Sequence, residues 1–323
     1  MCIRDRIGLL LYPGVQLAAV HGLGDLFTVA NRMAAGQGRD GLPTLRVSHW
    51  QVVESGALER VYDSAPGEQS SLRVIIVAPC LQPVPGRLLG EPYCGWLREQ
   101  HAAGVILTSV CAGAFPLAEA GLLDGRSVTT HWALGSELAQ QYPQVRVLPE
   151  RMLVEDGDLI TAGGLMAWTD LGLALVNRSL GATIAAETAR FLVVDLNRTS
   201  QLHFSHFVPV FDHGDAPILA VQHWLQGQAT VEASLAEMAE RACLGERTLL
   251  RRFRAATGMN PTQYCQQLRV ARARDLLEFT RQSIDQVAWQ VGYRDSGAFR
   301  GVFTRLVGLS PGDYRKRFAA SAH

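Results

Sequence analysis

Short apolar, β-branched runs alternate with segments of helical period up to about residue 198, and beyond about residue 215 only the helical period continues. A chain with such a break folds as two unlike units, an α/β layer structure and then an all-helical one. In the first part "IGLLLY", "LRVSHWQVV", "LRVIIVAP", "VILTSV", "SVTTHW" and "LITAGG" read as strands. Strands apolar at nearly every position are buried on both faces, so a parallel sheet covered by helices is expected. The helical segments between them include "VQLAAVHGLGDLFTVANRMAA", read with an interruption at its glycines, "EPYCGWLREQHAAG" and "MAWTDLGLALVNRSLG". Residues 7–198 are expected to form one domain, 199–214 an aperiodic linker, and 215–323 the helical domain. The opening "MCIRDR" is read as a lead-in outside the fold.

Charge follows the same division. The formal net charge is zero, yet residues 1–216 hold 15 Arg against 21 Asp plus Glu, while 217–323 hold 14 Arg and one Lys against 9 acids. A basic helical tail on an acidic body predicts that the tail meets a polyanion. "RIGLLLYPG" breaks at Pro13 and no long uninterrupted apolar run follows, so neither a secretory signal nor a membrane span is expected. Six cysteines without a CxxC spacing read as reduced thiols of a cytoplasmic protein. His203, His206 and His213 have no Cys or carboxylate to complete a metal shell, so neither metal nor cofactor is expected.

The tail repeats a pattern. In 234–258, Ser234 with Glu237 forms a capping box, and Leu235, Met238, Ala239 and Ala242 make an inner face. A turn near Cys243-Leu244-Gly245 leads to a second helix from Glu246 to about Thr257. Leu249, Phe253 and Ala256 face inward there, leaving Arg247, Leu250, Arg251 and Arg254 outward. In 283–308, Ser283 caps, Gly292 turns, and Phe299, Val302, Phe303 and Leu306 face inward from a second helix that exposes Ser296, Gly297, Arg300 and Thr304. "TQYCQQLRVARARDLLEF" between the units reads as one helix fixing their separation. Two helix-turn-helix units, each with an apolar inner and a polar outer face on its second helix, suit reading of double-stranded DNA.

Over about 100 residues this tail resembles the DNA-binding domain of the AraC family of bacterial transcription regulators, through "VGYRDSGAFRGVFTRLVGLSPGDYR" above all. The resemblance implies seven helices and two recognition helices in successive major-groove segments. By position, Arg247, Leu250, Arg251, Ser296, Gly297 and Arg300 are base-facing candidates, and Arg254 and Arg294 phosphate contacts, with Thr304 also outward.

"VCAGAFPLAEAGLLDGRSVTTHW" resembles the nucleophile elbow of the DJ-1/PfpI superfamily, which implies a flavodoxin-like sandwich akin to class I glutamine amidotransferase domains. The two-domain combination is similar to the GlxA group of transcription regulators. By that resemblance Cys111 is the elbow residue and His131 stands near an occasional histidine partner, with Ala112, Gly113 and Trp132 around a ligand. A helix N-terminus lowers a thiol pKa, and backbone N–H groups of Ala112 and Gly113 would cradle an anion. Enzymes of the superfamily place a carboxylate after the first strand, whereas "YPGVQLAAVHGLGDLF" has Gln16 and Ala19 there, and Asp25 falls within the following helix. The favoured expectation is therefore a non-enzymatic sensor domain for a small metabolite. In related regulators these effectors are often amino acids or quaternary amines. Trp132 and Trp168 are candidates for an aromatic wall, with core packing as their other role. A Cys111-dependent amidase or hydrolase and a thiol redox switch are the alternatives. The family further implies a homodimer and, for an activator, contact with RNA polymerase.

Overall fold

The apolar run near the start of the chain forms β1 (Arg6–Leu11), in the interior of a seven-stranded sheet. The computed structural model describes residues 6–36, 43–67, 71–82, 89–196, 198–227 and 233–320, which divide into two compact units between Gln201 and Leu202. In the first unit β1 is followed by α1 (Leu17–Gly36), β2 (Arg46–Val52), β3 (Leu58–Asp63), β4 (Leu72–Val77), α2 (Glu91–Ala102) and β5 (Ile106–Val110). Next come α3 (Ala114–Glu119), β6 (Ser127–Val128), α4 (Gly135–Gln141), β7 (Arg146–Val147), β8 (Leu153–Asp156), β9 (Leu159–Ala162), α5 (Trp168–Leu180) and α6 (Ala182–Leu192). The main sheet runs β3-β2-β1-β4-β5-β9-β8, and β6 pairs with β7 apart from it. Its inner pairs are parallel, and the edge strands β3 and β8 are antiparallel. Consecutive residues of β1, β4 and β9 are buried, which requires cover on both faces and explains their unbroken apolar runs.

Three expectations change. "LERVYD" and "LVED" are strands at the edges, where charge on a strand is ordinary and hides it from an apolar pattern. α1 runs without interruption, because Gly22 lies where a Cβ would collide with the Trp168 ring and so serves helix packing. Arg6 belongs to the fold: it is buried in β1, and its guanidinium joins those of Arg46 and Arg60 on the Asp63 carboxylate at 2.9, 3.3 and 2.9 Å. The other five residues of "MCIRDR" lie outside the described residues.

Strand order places the elbow. The chain leaves β1 toward β2 on one side and returns to β4 on the other, so the order switches at the C-terminal ends of β1 and β4. Val77 aligns with Ser109, and Val110 with Ala162, so β4, β5 and β9 end level at that edge.

The second unit is helical: α7 (Ala216–Gly227), α8 (Leu235–Arg241), α9 (Glu246–Thr257), α10 (Pro261–Phe279), α11 (Ile284–Gln290), α12 (Ser296–Val307) and α13 (Pro311–Phe318). Ser234 with Glu237 and Ser283 with Gln286 form capping boxes that start α8 and α11. Two apolar clusters lie in series along α10. One gathers Ile218, Val221, Met238, Leu249, Phe253 and Tyr264; the other gathers Val270, Leu277, Val287, Phe299, Phe303 and Tyr314.

The segment read as a linker divides between the units. Residues 199–201 go with the first, and 202–214 lie on the second, held there by side chains that capture backbone carbonyls. Buried Arg274 of α10 donates to the Leu202 carbonyl at 3.0 Å and to that of Ser205. Gln222 of α7 donates to the Val210 carbonyl at 3.0 Å, and its Oε1 lies 2.7 Å from His213 Nε2. Arg252 binds Asp215 through two nitrogens at 2.9 and 2.8 Å. Among the described residues no group of His, Cys, Asp or Glu is arranged to hold a metal ion, and no helix is long and apolar enough to cross a membrane.

Candidate nucleic-acid interface and elbow site

α9 and α12 are each twelve residues long and carry the same division of faces. Leu249 and Phe253 in α9, and Phe299 and Phe303 in α12, are buried in the two clusters. Arg247, Leu250, Arg251 and Arg254 are exposed along the outer side of α9, and Arg300 and Thr304 along that of α12, where Ser296 is half-buried. Among the described residues no carboxylate pairs with Arg247, Arg251 or Arg254, so these three guanidiniums are available to an anionic partner. Arg294 is exposed just before α12.

The turn preceding each of these helices needs a left-handed residue. Cys243 takes it with φ 52° in the first unit, and Gly292 with φ 85° in the second. The glycine adopts that backbone freely, whereas Cys243 is strained. A spacing of 50 residues places Gly297, Arg300, Gly301 and Thr304 opposite Arg247, Leu250, Arg251 and Arg254. The outer face of α12 thus presents one arginine where α9 presents three.

Cys111 follows β5 directly and holds φ 56°, a conformation few non-glycine residues adopt, which turns the chain sharply into the short helix beyond. Gly113 is required there, because a Cβ would overlap the Val77 carbonyl of β4. The Cys111 thiol is buried, and burial pushes its pKa up to about 11 against the partial relief of the Ala112 N–H; neighbouring Cys80 raises it further. The Tyr12 hydroxyl, whose proton is held by burial and by Cys80 and Cys111, donates to the Ala78 carbonyl beside it. Among the described residues no carboxylate contributes to this environment. Gln16 is buried at the entry to α1 with its Oε1 unpaired, and Ala19 is buried behind it.

His131 is brought beside the elbow but not bonded to it. The Thr130 hydroxyl donates to the Cys111 carbonyl at 2.7 Å, fixing the neighbouring backbone. His131 Nδ1 accepts from the Ala133 N–H at 3.2 Å, and burial lowers its pKa. Among the described residues no hydrogen bond joins His131 to the Cys111 thiol. Trp132 is half-buried with its ring 5.2 Å from that of His131, and its backbone N–H donates to Gln201 Oε1 at 3.3 Å. Trp168 packs over Gly22 with its Nε1 buried.

Gln201 escaped sequence reasoning. It is buried, and its Nε2 lies within hydrogen-bond distance of the carbonyls of Thr130 and Arg151 at 2.9 Å and of Pro149 at 3.1 Å, sharing its two hydrogens among them and pinning the segment after β6 that carries His131. Its place in an aperiodic stretch gave no signal. Asp285, which holds Ser296 and Arg300, was also missed, though aligning the two repeats on their capping serines, Ser234 and Ser283, exposes it: Ala236 occupies its place in the first.

Comparison with known proteins agrees with both halves. A helix-turn-helix domain family matches residues 238–317, and the DJ-1/PfpI family matches residues 75–178. The chain is 30% identical to the HTH-type transcriptional regulator CdhR of Pseudomonas aeruginosa, over 97% of this chain and 88% of that protein. It is 30% identical to the HTH-type transcriptional regulator ArgR of the same organism, over 68% of this chain and 67% of that one. Identity to the HTH-type transcriptional regulator GlxA of Rhizobium meliloti is 28%, over 68% of each.

Proposed function

The chain belongs to the transcriptional regulators that join a DJ-1/PfpI domain to an AraC-type helix-turn-helix domain, and from that premise we propose that its first unit is a non-catalytic sensor governing sequence-specific DNA reading by the second. The observation that carries the sensor reading is the Cys111 thiol, buried, without a carboxylate, and kept protonated by a pKa of about 11. A nucleophile needs the thiolate, and a general base within reach would have to make one. His131 spends Nδ1 on the Ala133 N–H, and Gln16 cannot take a proton as a carboxylate would.

In this reading the crevice around Cys111, Ala112, Gly113, His131 and Trp132 holds a small effector, an amino acid or quaternary amine. Arg247, Leu250, Arg251, Ser296, Gly297 and Arg300 face the bases, Arg254 and Arg294 meet the DNA backbone, and Thr304 also faces the DNA. The protein works as a homodimer in the cytoplasm, and as an activator it meets RNA polymerase.

Effector binding is tested on the full chain by thermal unfolding with amino acids and betaines. A ligand at a hundred times its Kd stabilises by about 2.7 kcal/mol. The Cys111→Ser variant is expected to keep that response. Release of product from an amide substrate that disappears in Cys111→Ser sinks the sensor reading. On the DNA side Arg251→Ala is expected to cost about 1–3 kcal/mol on the selected duplex and to relax one base position. Equal losses on selected and random duplexes would make Arg251 a phosphate contact instead.

A further inference from the structure

We infer that Asp285 is a specificity-determining residue of the DNA reader, a brace that holds the Arg300 guanidinium and the Ser296 hydroxyl in one fixed arrangement at the groove-entering end of α12. This rests on the reading above that the outer face of α12 meets base edges. Asp285 lies in the first turn of α11, the helix that precedes the recognition helix, and its carboxylate reaches across to α12. Arg300 donates to Asp285 Oδ1 at 3.3 Å, and the Ser296 hydroxyl donates to the same oxygen. Arg300 Nε also points at Ser296 Oγ, at 3.4 Å, closing a three-membered cluster. Ser296 opens α12 and Arg300 stands one turn further, so the cluster occupies the N-terminal end of the helix, the part that contacts base edges in helix-turn-helix proteins.

The neighbouring residues explain why this arginine needs a brace. Gly297 and Gly301 flank Arg300 on the helix surface without a side chain to pack against its long stem, and the space at Gly301 is open, so its restraint on α12 comes from Ser296 alone. A freely rotating arginine loses conformational entropy when it docks on a base, and a guanidinium already oriented loses less. One carboxylate oxygen uses only part of the five N–H donors, leaving an edge for the two acceptors of a guanine. The same glycines let the DNA backbone approach α12 closely. Counted from the capping serines, Ala236 of the first repeat replaces Asp285, and counted along the recognition helices Leu250 replaces Arg300; among the described residues the outward Arg247, Arg251 and Arg254 have no carboxylate partner. Asp285 and Arg300 therefore occur together in the second repeat and are absent together from the first.

An exposed ion pair contributes little to stability: the two side chains are 72% and 51% exposed, so solvent screens them. A carboxylate on a DNA-facing edge also repels phosphates, which makes orientation of Arg300 the function that fits its position.

The test uses the full chain. A randomised duplex library selected on the wild-type protein yields the enriched duplex, and Asp285→Ala, Asp285→Asn and Arg300→Ala are then measured on it and on a random-sequence duplex. Asp285→Ala is expected to lose about five- to tenfold on the enriched duplex, to relax preference at a single base pair, and to bind the random duplex no more weakly. Asp285→Asn keeps an acceptor and the side-chain shape, and is expected to fall between. In an Arg300→Ala background, Asp285→Ala is expected to add nothing. Unchanged base preference in Asp285→Ala, or tighter binding to the enriched duplex, overturns the brace. If Arg300→Ala itself leaves every base position unchanged, the reading of α12 as a base reader fails instead.

Discussion

Iodoacetamide is expected to alkylate Cys111 at neutral pH about a hundredfold more slowly than an unperturbed thiol, before any steric protection is counted. The attacking species is the thiolate, and a pKa moved from 9.0 to about 11 reduces its fraction tenfold per unit. Burial is the main cause, with Cys80 adding to it and the Ala112 N–H opposing it. The rate, followed by mass spectrometry of the Cys111 peptide, should climb through the whole range from pH 7 to 10 and level only near 11. Stability carries the same sign. The folded state holds the proton more tightly than the unfolded chain, so the contribution is complete below the ordinary thiol pKa and is lost as pH rises toward about 11. A rate that levels below pH 8 would reveal a poised thiolate and revive the hydrolase or redox-switch readings.

Replacing Phe253 by alanine should cost about 3–5 kcal/mol and unfold the first helix-turn-helix unit selectively. Phe253 is fully buried, its ring stands edge-on to Tyr264 at 5.2 Å, and it lies in one cluster with Met238 and Leu249. Removing it leaves a cavity that the ends of α8 and α9 must span, in a domain whose whole stability is of order 5–15 kcal/mol. Phe299 and Phe303 belong to the other cluster, so α11 and α12 keep their support. Hydrogen exchange should show amides of α8 and α9 losing protection while those of α12 retain it, and DNA binding should fall with the first unit. Uniform loss across α8 to α13 would mean that the two clusters fold as one.

How far these sites can be read from the chain depends on the range of the interaction involved. The capping box at Ser234, the cap at Ser283, the turn at Gly292 and the inward row of Leu249 and Phe253 are set within a few residues, so spacing alone places them. The sharp turn at Cys111 and the missing carboxylate at Gln16 and Ala19 were likewise legible in short stretches. The edge strands β3 and β8 were not, because their charged residues satisfy solvent and leave no apolar alternation. Gly22 looked like a helix breaker because its partner, Trp168, lies in a distant helix.

The sequence by itself determined that an α/β unit precedes a duplicated helical reader, since period, capping and the apolar content of each strand are local properties of the chain. Only the tertiary structure decided the state of Cys111, because a thiol pKa follows from what surrounds the sulfur rather than from what adjoins it in sequence. The same is true of Gln201, which reaches carbonyls 50 to 71 residues away, and of Asp285, whose meaning appears when α11 and α12 bring it to Arg300. A helix N-terminus at the elbow argues for a lowered thiol pKa, whereas burial of Cys111 in the folded chain acts in the opposite direction and raises it.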